Sequence, residues 1–377
     1  MKRRRLFRNL TAGATSAGVL SACSRSQRRF TLSGERVLTM GDTPSDGPQI
    51  AWRMATSWPE NLAVRFEIAQ QICNRVGKLT QGGFTITPFP AGGIAPPQEI
   101  LATVQLGSVE CGHTIGYYST STNRAFAFAA SLPFGLNPHQ QLAWLYGAGG
   151  LELLRNLYAE FNVINFPAGS SGNQMGGWFR NKVTSVSDMQ GLRMRMPGLG
   201  GEVLKRIGAD AQNMPPREIL LGLERGTIDA AEWVGPHEDE QLGINKYVRY
   251  YYYPGWHEPG TTYELIINRD AYRELPEGYR KALEVATFEA QVKMLSRYDS
   301  ANWEALQRML SSGTELVPYS QEILQKLGQA ANDLYAEYAS RDSAYRKIYD
   351  HWNAFRQGIY RWNRVNERSF ADLIFDG

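Results

Sequence analysis

Two periodicities of apolar residues alternate along this chain from Ile50 onward, one of two residues and one of three to four. In IAWRMATSW, Ile50, Trp52 and Met54 share one face of a strand, while in ENLAVRFEIAQQICNRVGKLT the residues Leu62, Phe66, Ile68, Ile72 and Val76 recur at helical spacing. FTITPF predicts a second strand, PPQEILATVQLG a helix opened by prolines, and VECGHTI a third strand. Helical density over PHQQLAWLYGAGGLELLRNLYAEF and the strand NVINFPAG complete this first run. A second run starts near Gln174. It has strands in QMGGWFR, LRMRMP and TIDAAEWV, a short helical turn in SVSDMQG, and helices in LGGEVLKRIG and PPREILLGLERG. Residues 248–268, VRYYYYPGWHEPGTTYELIIN, predict two strands around a Pro/Gly turn, and beyond Pro276 nearly everything is helical apart from TELVPY.

This alternation places the chain in the α/β class, with mostly parallel sheets covered by helices. Roughly 330 residues are more than one core serves comfortably, so two domains are expected, 48–170 and 171–265, followed by helices over 266–340. Residues 341–377 predict a further helix, in which Tyr345, Ile348, Tyr349, Trp352, Phe355, Ile359, Trp362 and Val365 fall mostly three or four apart. That stripe is too apolar to stay solvated. It either folds back on its own domain or clasps a second subunit.

The N-terminus changes how the charge is read. MKRRRLFRNLTAGATSAGVLSAC opens with Lys2, Arg3, Arg4, Arg5 and Arg8, and its weakly apolar residues 10–22 are fewer than the roughly 20 a spanning helix needs. Residues 1–22 therefore predict an export signal of twin-arginine character. Leu20-Ser21-Ala22-Cys23 matches a bacterial lipobox, in which Cys23 becomes the lipidated first residue; an ordinary cleaved signal or a membrane anchor is the alternative. Residues 24–47 are polar and read as a tether. The chain has 40 Lys+Arg against 37 Asp+Glu, but its first 22 residues hold five of the bases and none of the acids. What remains is nearly balanced and gives no basis for nucleic-acid binding, which rests on clustered positive charge. Cys73 and Cys111 form one disulfide or stay as buried thiols, and no cysteine spacing suits a metal.

Catalytic signatures are absent: the sequence has no phosphate loop, HExxH pair, CxxC or G-x-S-x-G elbow. HEDE at 237–240 and HEP at 257–259 set histidines beside acids without a second spaced histidine, and read as surface turns. His113, inside an apolar strand, reads as a core histidine. Three polar anchors sit at strand edges instead. In LRMRMPG, Leu192, Met194 and Met196 take one face, leaving Arg193 and Arg195 on the other, with Arg195 at the carboxyl end where open α/β sheets bind ligands. Its guanidinium offers a planar fork for a carboxylate, unless it is a surface arginine paired with an acid. SGNQMGGWFR presents the amides of Asn173 and Gln174 before a glycine pair; Asn173 also suits an ordinary turn. Glu232, beside Trp233 at the end of an apolar run, is either a solvated strand end or, with the Gln174 oxygen and main-chain carbonyls, a ligand of a hard cation such as sodium or calcium. Buried without such a partner it would be costly. Trp58, Tyr117, Tyr118, Trp178, Trp233 and Trp256 fall at strand ends or in the following turns, as pocket-lining aromatics do.

Seven ordered stretches resemble the periplasmic solute receptors of tripartite ATP-independent (TRAP) transporters, the DctP family, and within it the branch that binds 2-oxo acids. They are RMATSWP, GHTIGYYS, PFGLNPHQQLAWLYGAGGLELL, GNQMGGWFR, GLRMRMPG, LERGTIDAAEWVGPHEDEQLG and YYYYPGW. The resemblance implies a two-domain periplasmic-binding-protein-like fold, with crossing strands and a long helix across the domains, closing over one carboxylate. It implies that Arg195 holds that carboxylate, and that Gln174, Glu232 and the carbonyl of Trp233 hold a cation facing it across the gap, sodium foremost and calcium the alternative. Trp58, Tyr117 and Tyr118 would shape the pocket, with Asn173 beside Gln174. The implied ligand is a small 2-oxo monocarboxylate such as pyruvate, or a 2-hydroxy acid such as lactate with calcium. The implied partners are the TRAP membrane subunits and a second copy joined through the C-terminal helix. Cys23 would tether this receptor to the membrane from the periplasm. A metal-assisted lyase or hydrolase with Glu232 as general base is the enzyme alternative, for which the sequence supplies no convincing acid or nucleophile.

Overall fold

A computed structural model of the chain describes residues 47–60 and 63–375. The export signal, Cys23 and all but the last residue of the 24–47 tether lie outside the described residues. Along the chain the strands are β1 (Ile50–Thr56), β2 (Phe84–Phe89), β3 (Cys111–Thr114), β4 (Val163–Gly172), β5 (Gly177–Phe179), β6 (Arg193–Arg195), β7 (Asp210–Gln212), β8 (Ala230–Ala231), β9 (Tyr250–Tyr253), β10 (Thr261–Asn268) and β11 (Glu315–Pro318). They form two sheets, ordered β2-β1-β3-β10-β4 and β11-β9-β5-β8-β6-β7.

Both sheets are mixed, against the expectation of mostly parallel ones. β1 is parallel to β2 and β3, and β6 to β7 and β8, but β10 runs against β3 and β4, and β5 against β8 and β9. Parallel neighbours need a crossover long enough to hold a helix. β5 is reached from β4 of the other sheet by only the short link 173–176, and β10 is likewise the strand by which the chain returns from the second sheet to the first. The stretch 248–268 is therefore no hairpin. Its tyrosine strand β9 pairs with β5 and β11, and β10, part of which falls in the 171–265 segment, pairs in the first sheet.

Helices carry the site-bearing strands. Ala63–Leu79 buries Val64, Ile68, Ile72 and Val76, and the same face carries the buried Arg65. Glu277–Ser311 runs 35 residues, about 50 Å at helical rise. It packs on β4 of the first sheet and on the helix Pro236–Leu242 that follows β8 of the second, as a helix spanning both sheets must. The helix Gln321–Arg341 ends at Asp342, whose side chain accepts from the amides of Ala344 (2.8 Å) and Tyr345 (3.1 Å) and so caps the next helix, Ser343–Asn363.

The first half of the helix Ser343–Asn363 folds back on its own chain. Tyr345, Ile348 and Trp352 are buried against Phe128, Tyr335 and Tyr338 of the same chain. Trp362 near its end, and Val365, Phe370, Leu373, Ile374 and Phe375 beyond it, are exposed, Phe375 at 83%. Cys73 and Cys111 are buried free thiols. Among the described residues no helix is long and apolar enough to cross a membrane.

Candidate ligand and cation site

A cavity of about 500 Å³ opens where strand ends of both sheets converge. Ser57 and Trp58 follow β1, Tyr117 and Tyr118 follow β3, Arg195 ends β6, and Glu232, Trp233 and Val234 follow β8. These are the carboxyl ends of parallel strands, where backbone turns away and side chains face open space. Gln174 comes from the link between β4 and β5, Glu258 from the β9–β10 connection and Tyr263 from β10 itself.

The parallel pairing of β6 with β8 sets Arg195 beside Ala231, so the next residue, Glu232, meets the guanidinium directly. Arg195 Nη1 forms an ion pair with Glu232 Oε1 and donates to the Glu232 main-chain carbonyl at 2.8 Å; the two side chains are 8% and 3% exposed. The expected arrangement, arginine and carboxylate facing each other across a gap, is thus replaced by neighbours on one sheet. A register of adjacent strands decides this, and single-strand patterns do not contain it. The other Glu232 oxygen, Oε2, lies 3.2 Å from His257 Nε2. His257 is buried, not part of a surface turn.

Gln174 is held by one end. Its Nε2 donates to Glu258 Oε2 (2.7 Å) and Thr261 Oγ1 (3.1 Å), whereas its Oε1 is buried with no hydrogen-bond partner. An oxygen left so is the mark of a site made for a donor or a cation. Glu258, which the sequence reading passed over, is buried; burial, and then the nearby Glu232 carboxylate, push its carboxyl above the usual range. Among the described residues no group of three or more His, Cys, Asp or Glu side chains could hold a metal alone. The side chains of Gln174 and Glu232 bring amide and carboxylate oxygens to the cavity, a donor chemistry that suits hard cations such as sodium and calcium.

The aromatic wall is partly as expected. Trp58, Tyr117, Tyr118 and Trp233 line the cavity. Trp178 instead stacks on Tyr251 at 3.9 Å with its Nε1 bonded to Asp239, and Trp256 stacks on Phe134, both away from the cavity wall. Asn173 is also a correction: it is exposed and borders a separate outer cleft with Asn137 and Trp303. Asn173 sits in the bend that follows β4, where Gly172 has a φ of 74°, and its side chain lies outside while that of Gln174 lines the cavity.

Arg65 is the second guanidinium on the wall. Its Cζ lies 5.3 Å from the Trp58 ring centroid and 5.4 Å from that of Trp233, the same distance at which Arg195 flanks Trp233. Its Nη2 bonds Glu238 Oε2 at 2.7 Å, and Tyr298 holds the other Glu238 oxygen. HEDE therefore contains two buried acids, since Asp239 also accepts from Tyr251 (2.7 Å) and the Val234 amide (3.0 Å). Their partners lie far off in sequence, but Arg65 itself was visible as a charge on an otherwise apolar helix face. His113 fits its core reading: Nδ1 accepts from Trp58 Nε1 (2.7 Å), Nε2 donates to the Ala168 carbonyl (3.2 Å), and burial lowers its pKa to about 4.

Residues 54–342 match the family model DctP, bacterial extracellular solute-binding protein, family 7. A monocarboxylate 2-oxoacid-binding periplasmic protein of Nostoc sp. (strain PCC 7120) is 49% identical over 373 residues, 99% of each chain. A TRAP transporter solute-binding protein from Bordetella bronchiseptica RB50 superposes with a TM-score of 0.84 at 39% identity, covering 88% of this chain and 98% of that one; it is a mixed-occupancy dimer with calcium and picolinate in one site. A TRAP periplasmic solute-binding protein from Pseudoalteromonas atlantica T6c, with bound sodium and pyruvate, gives a TM-score of 0.81 at 32% identity over 86% of this chain and 99% of that one.

Proposed function

The chain belongs to the DctP family of TRAP transporter solute-binding proteins, and we propose that it is a periplasmic receptor for a small 2-oxo monocarboxylate of the pyruvate class, bound together with a cation and delivered to membrane transport subunits. The observation that carries this reading is the pairing, on one cavity wall, of the buried Arg195 fork with an oxygen set that includes the unpartnered Oε1 of Gln174. A guanidinium matches a carboxylate through two parallel hydrogen bonds. A 2-oxo acid also presents a keto oxygen next to its carboxylate, so it can offer two oxygens to a cation that Gln174, Glu232 and the Trp233 carbonyl hold from the other side. The cation supplies positive charge beside the substrate's oxygens. Trp58, Tyr117 and Tyr118 supply an apolar wall for a short carbon chain and exclude water from the ion pairs.

This receptor catalyses no reaction. Its two sheets are the two lobes, the long helix Glu277–Ser311 spans them, and hinge closure is the working motion. The exposed end beyond Asn363 joins a second copy, and Cys23 anchors the mature chain to the membrane. Calorimetric titration with pyruvate in calcium or sodium buffer tests the substrate assignment. The native protein should bind, and Arg195→Ala should lose on the order of 30-fold or more in affinity, as truncating a buried charge partner does. Unchanged affinity in the variant would remove Arg195 from its role, and turnover of pyruvate followed by NMR would favour an enzyme.

A further inference from the structure

We infer that Glu238, which stands behind the cavity wall, makes the receptor reject acids with a second carboxylate: it neutralises Arg65, the wall guanidinium that would otherwise hold that carboxylate. The inference rests on the receptor reading above and adds a residue that decides between singly and doubly charged acids. Arg65 comes from the helix Ala63–Leu79 and lines the cavity with Arg195, whereas Glu238 comes from the helix Pro236–Leu242 and is not among the lining residues. Nη2 of Arg65 donates to Glu238 Oε2 at 2.7 Å, with the two side chains 5% and 1% exposed, and the Tyr298 hydroxyl donates to the other Glu238 oxygen. Burial works against the Arg65 charge, yet the Glu238 carboxylate beside it holds its pKa above the ordinary arginine range.

Size does not make this choice. At about 500 Å³ the cavity falls among pockets that enclose ligands far larger than a three-carbon acid. Reach does not make it either. The Cζ atoms of Arg65 and Arg195 each lie 5.4 Å from the centroid of the Trp233 ring, so they are separated by no more than twice that distance, which a five-carbon diacid gripped at both ends can bridge. Charge remains. Arg195 is paired with Glu232 and Arg65 with Glu238, and Glu258 adds a further carboxylate to the wall, so both guanidiniums are matched before any ligand enters. A second ligand carboxylate at Arg65 would meet Glu238 on the same guanidinium, and like charges set side by side in a desolvated site are how wrong partners are turned away. With Glu238 made neutral, Arg65 is left with a buried charge that such a carboxylate compensates.

The test uses the full-length protein in calcium or sodium buffer, titrated calorimetrically with pyruvate, 2-oxohexanoate and 2-oxoglutarate. In the native protein 2-oxoglutarate should bind at least about tenfold more weakly than 2-oxohexanoate, which is similar in length and carries one charge. In Glu238→Gln, whose amide oxygen still accepts from Arg65, 2-oxoglutarate affinity should rise about tenfold or more while pyruvate affinity stays within about a factor of three. The gain should vanish when Arg65→Met is combined with Glu238→Met, an apolar exchange of the whole pair that folded proteins commonly tolerate. Glu238→Gln that binds pyruvate without gaining 2-oxoglutarate overturns the inference and leaves the receptor reading intact. The native protein decides even where Glu238→Gln does not fold: equal affinity for 2-oxohexanoate and 2-oxoglutarate overturns the inference, because strong binding of both would mean no rejection and weak binding of both a limit of size. Absence of pyruvate binding in the native protein overturns the receptor reading and the inference with it.

Discussion

Glu258 orients Gln174: its Oε2 accepts from Gln174 Nε2 at 2.7 Å, and this bond turns the opposite end of the amide, Oε1, away from any protein donor. An ionised carboxylate only accepts, so it selects the NH₂ end of the amide and presents the oxygen elsewhere. Thr261 supports the same choice twice, accepting from Gln174 Nε2 at 3.1 Å and donating to Glu258 Oε2 at 2.6 Å. Outer partners of this kind fix the direction of a ligand atom as firmly as the ligand's own backbone does.

Glu258→Leu should therefore weaken calcium binding, measured calorimetrically at saturating pyruvate, by roughly 10–100-fold. Glu258→Gln keeps the size and one accepting oxygen. If Glu258 acts by orienting Gln174, the loss in Glu258→Gln should be clearly smaller. Equal losses in the two variants would instead make the Glu258 charge itself a cation ligand.

Stability should fall as pH rises through the range from the ordinary carboxylate pKa to about 7. Burial raises Glu264 to about 7, although Tyr158 OH and Asn165 Nδ2 each donate to it at 2.6 Å, and burial raises Asp239 to about 7 as well. The folded state then holds protons that the unfolded state has released, so these groups favour folding most at low pH and cease to change it above about 7. Calorimetric melting should be higher at pH 5.5 than at pH 8 by a few degrees, on the order expected for groups shifted this far. Glu264→Gln should flatten that slope and raise melting at pH 8, because the unpartnered Oδ1 of Asn165 can accept from the new amide once Asn165 turns over. An unchanged slope would exclude Glu264 as its source.

The exposed C-terminal end gives a third outcome. Phe370→Asp combined with Leu373→Asp puts two charges on a surface where Phe370, Leu373, Ile374 and Phe375 now stand open. Sedimentation should show a dimer for the native chain and a monomer for the variant, with association weakened by roughly 30-fold or more if these are central contacts. Pyruvate affinity should be unchanged, since none of these residues lines the cavity. A variant that remains dimeric would place the subunit contact elsewhere.

What could be read from residue patterns was whatever a single element expresses by itself. Arg195 opposite Met194 and Met196, Gln174 before Gly176-Gly177 and Glu232 at the end of an apolar run each broke the rule of their own strand, and all three line the cavity. Asn173 obeyed the same local logic and faces outward, because the chain bends after Gly172 (φ 74°), and the pattern of a single strand does not contain that bend. Glu258 and His257 looked like a polar turn, since the partners that make them part of a buried site, Gln174 after β4, Glu232 after β8 and Thr261 on β10, lie elsewhere in the chain.

Periodicity determined the alternation of strands and helices, the edge positions of Arg195 and Glu232, and an aromatic C-terminal helix, because side-chain direction along one element follows from its repeat. Tertiary structure alone decided that β5 and β10 run against their neighbours, that Arg195 and Glu232 share an ion pair, and that the aromatic stripe is buried at Tyr345, Ile348 and Trp352 but open at Trp362 and Val365. Those features depend on which strands lie side by side and in what register. That is settled by the packing of residues tens to hundreds of positions apart, which no local period encodes.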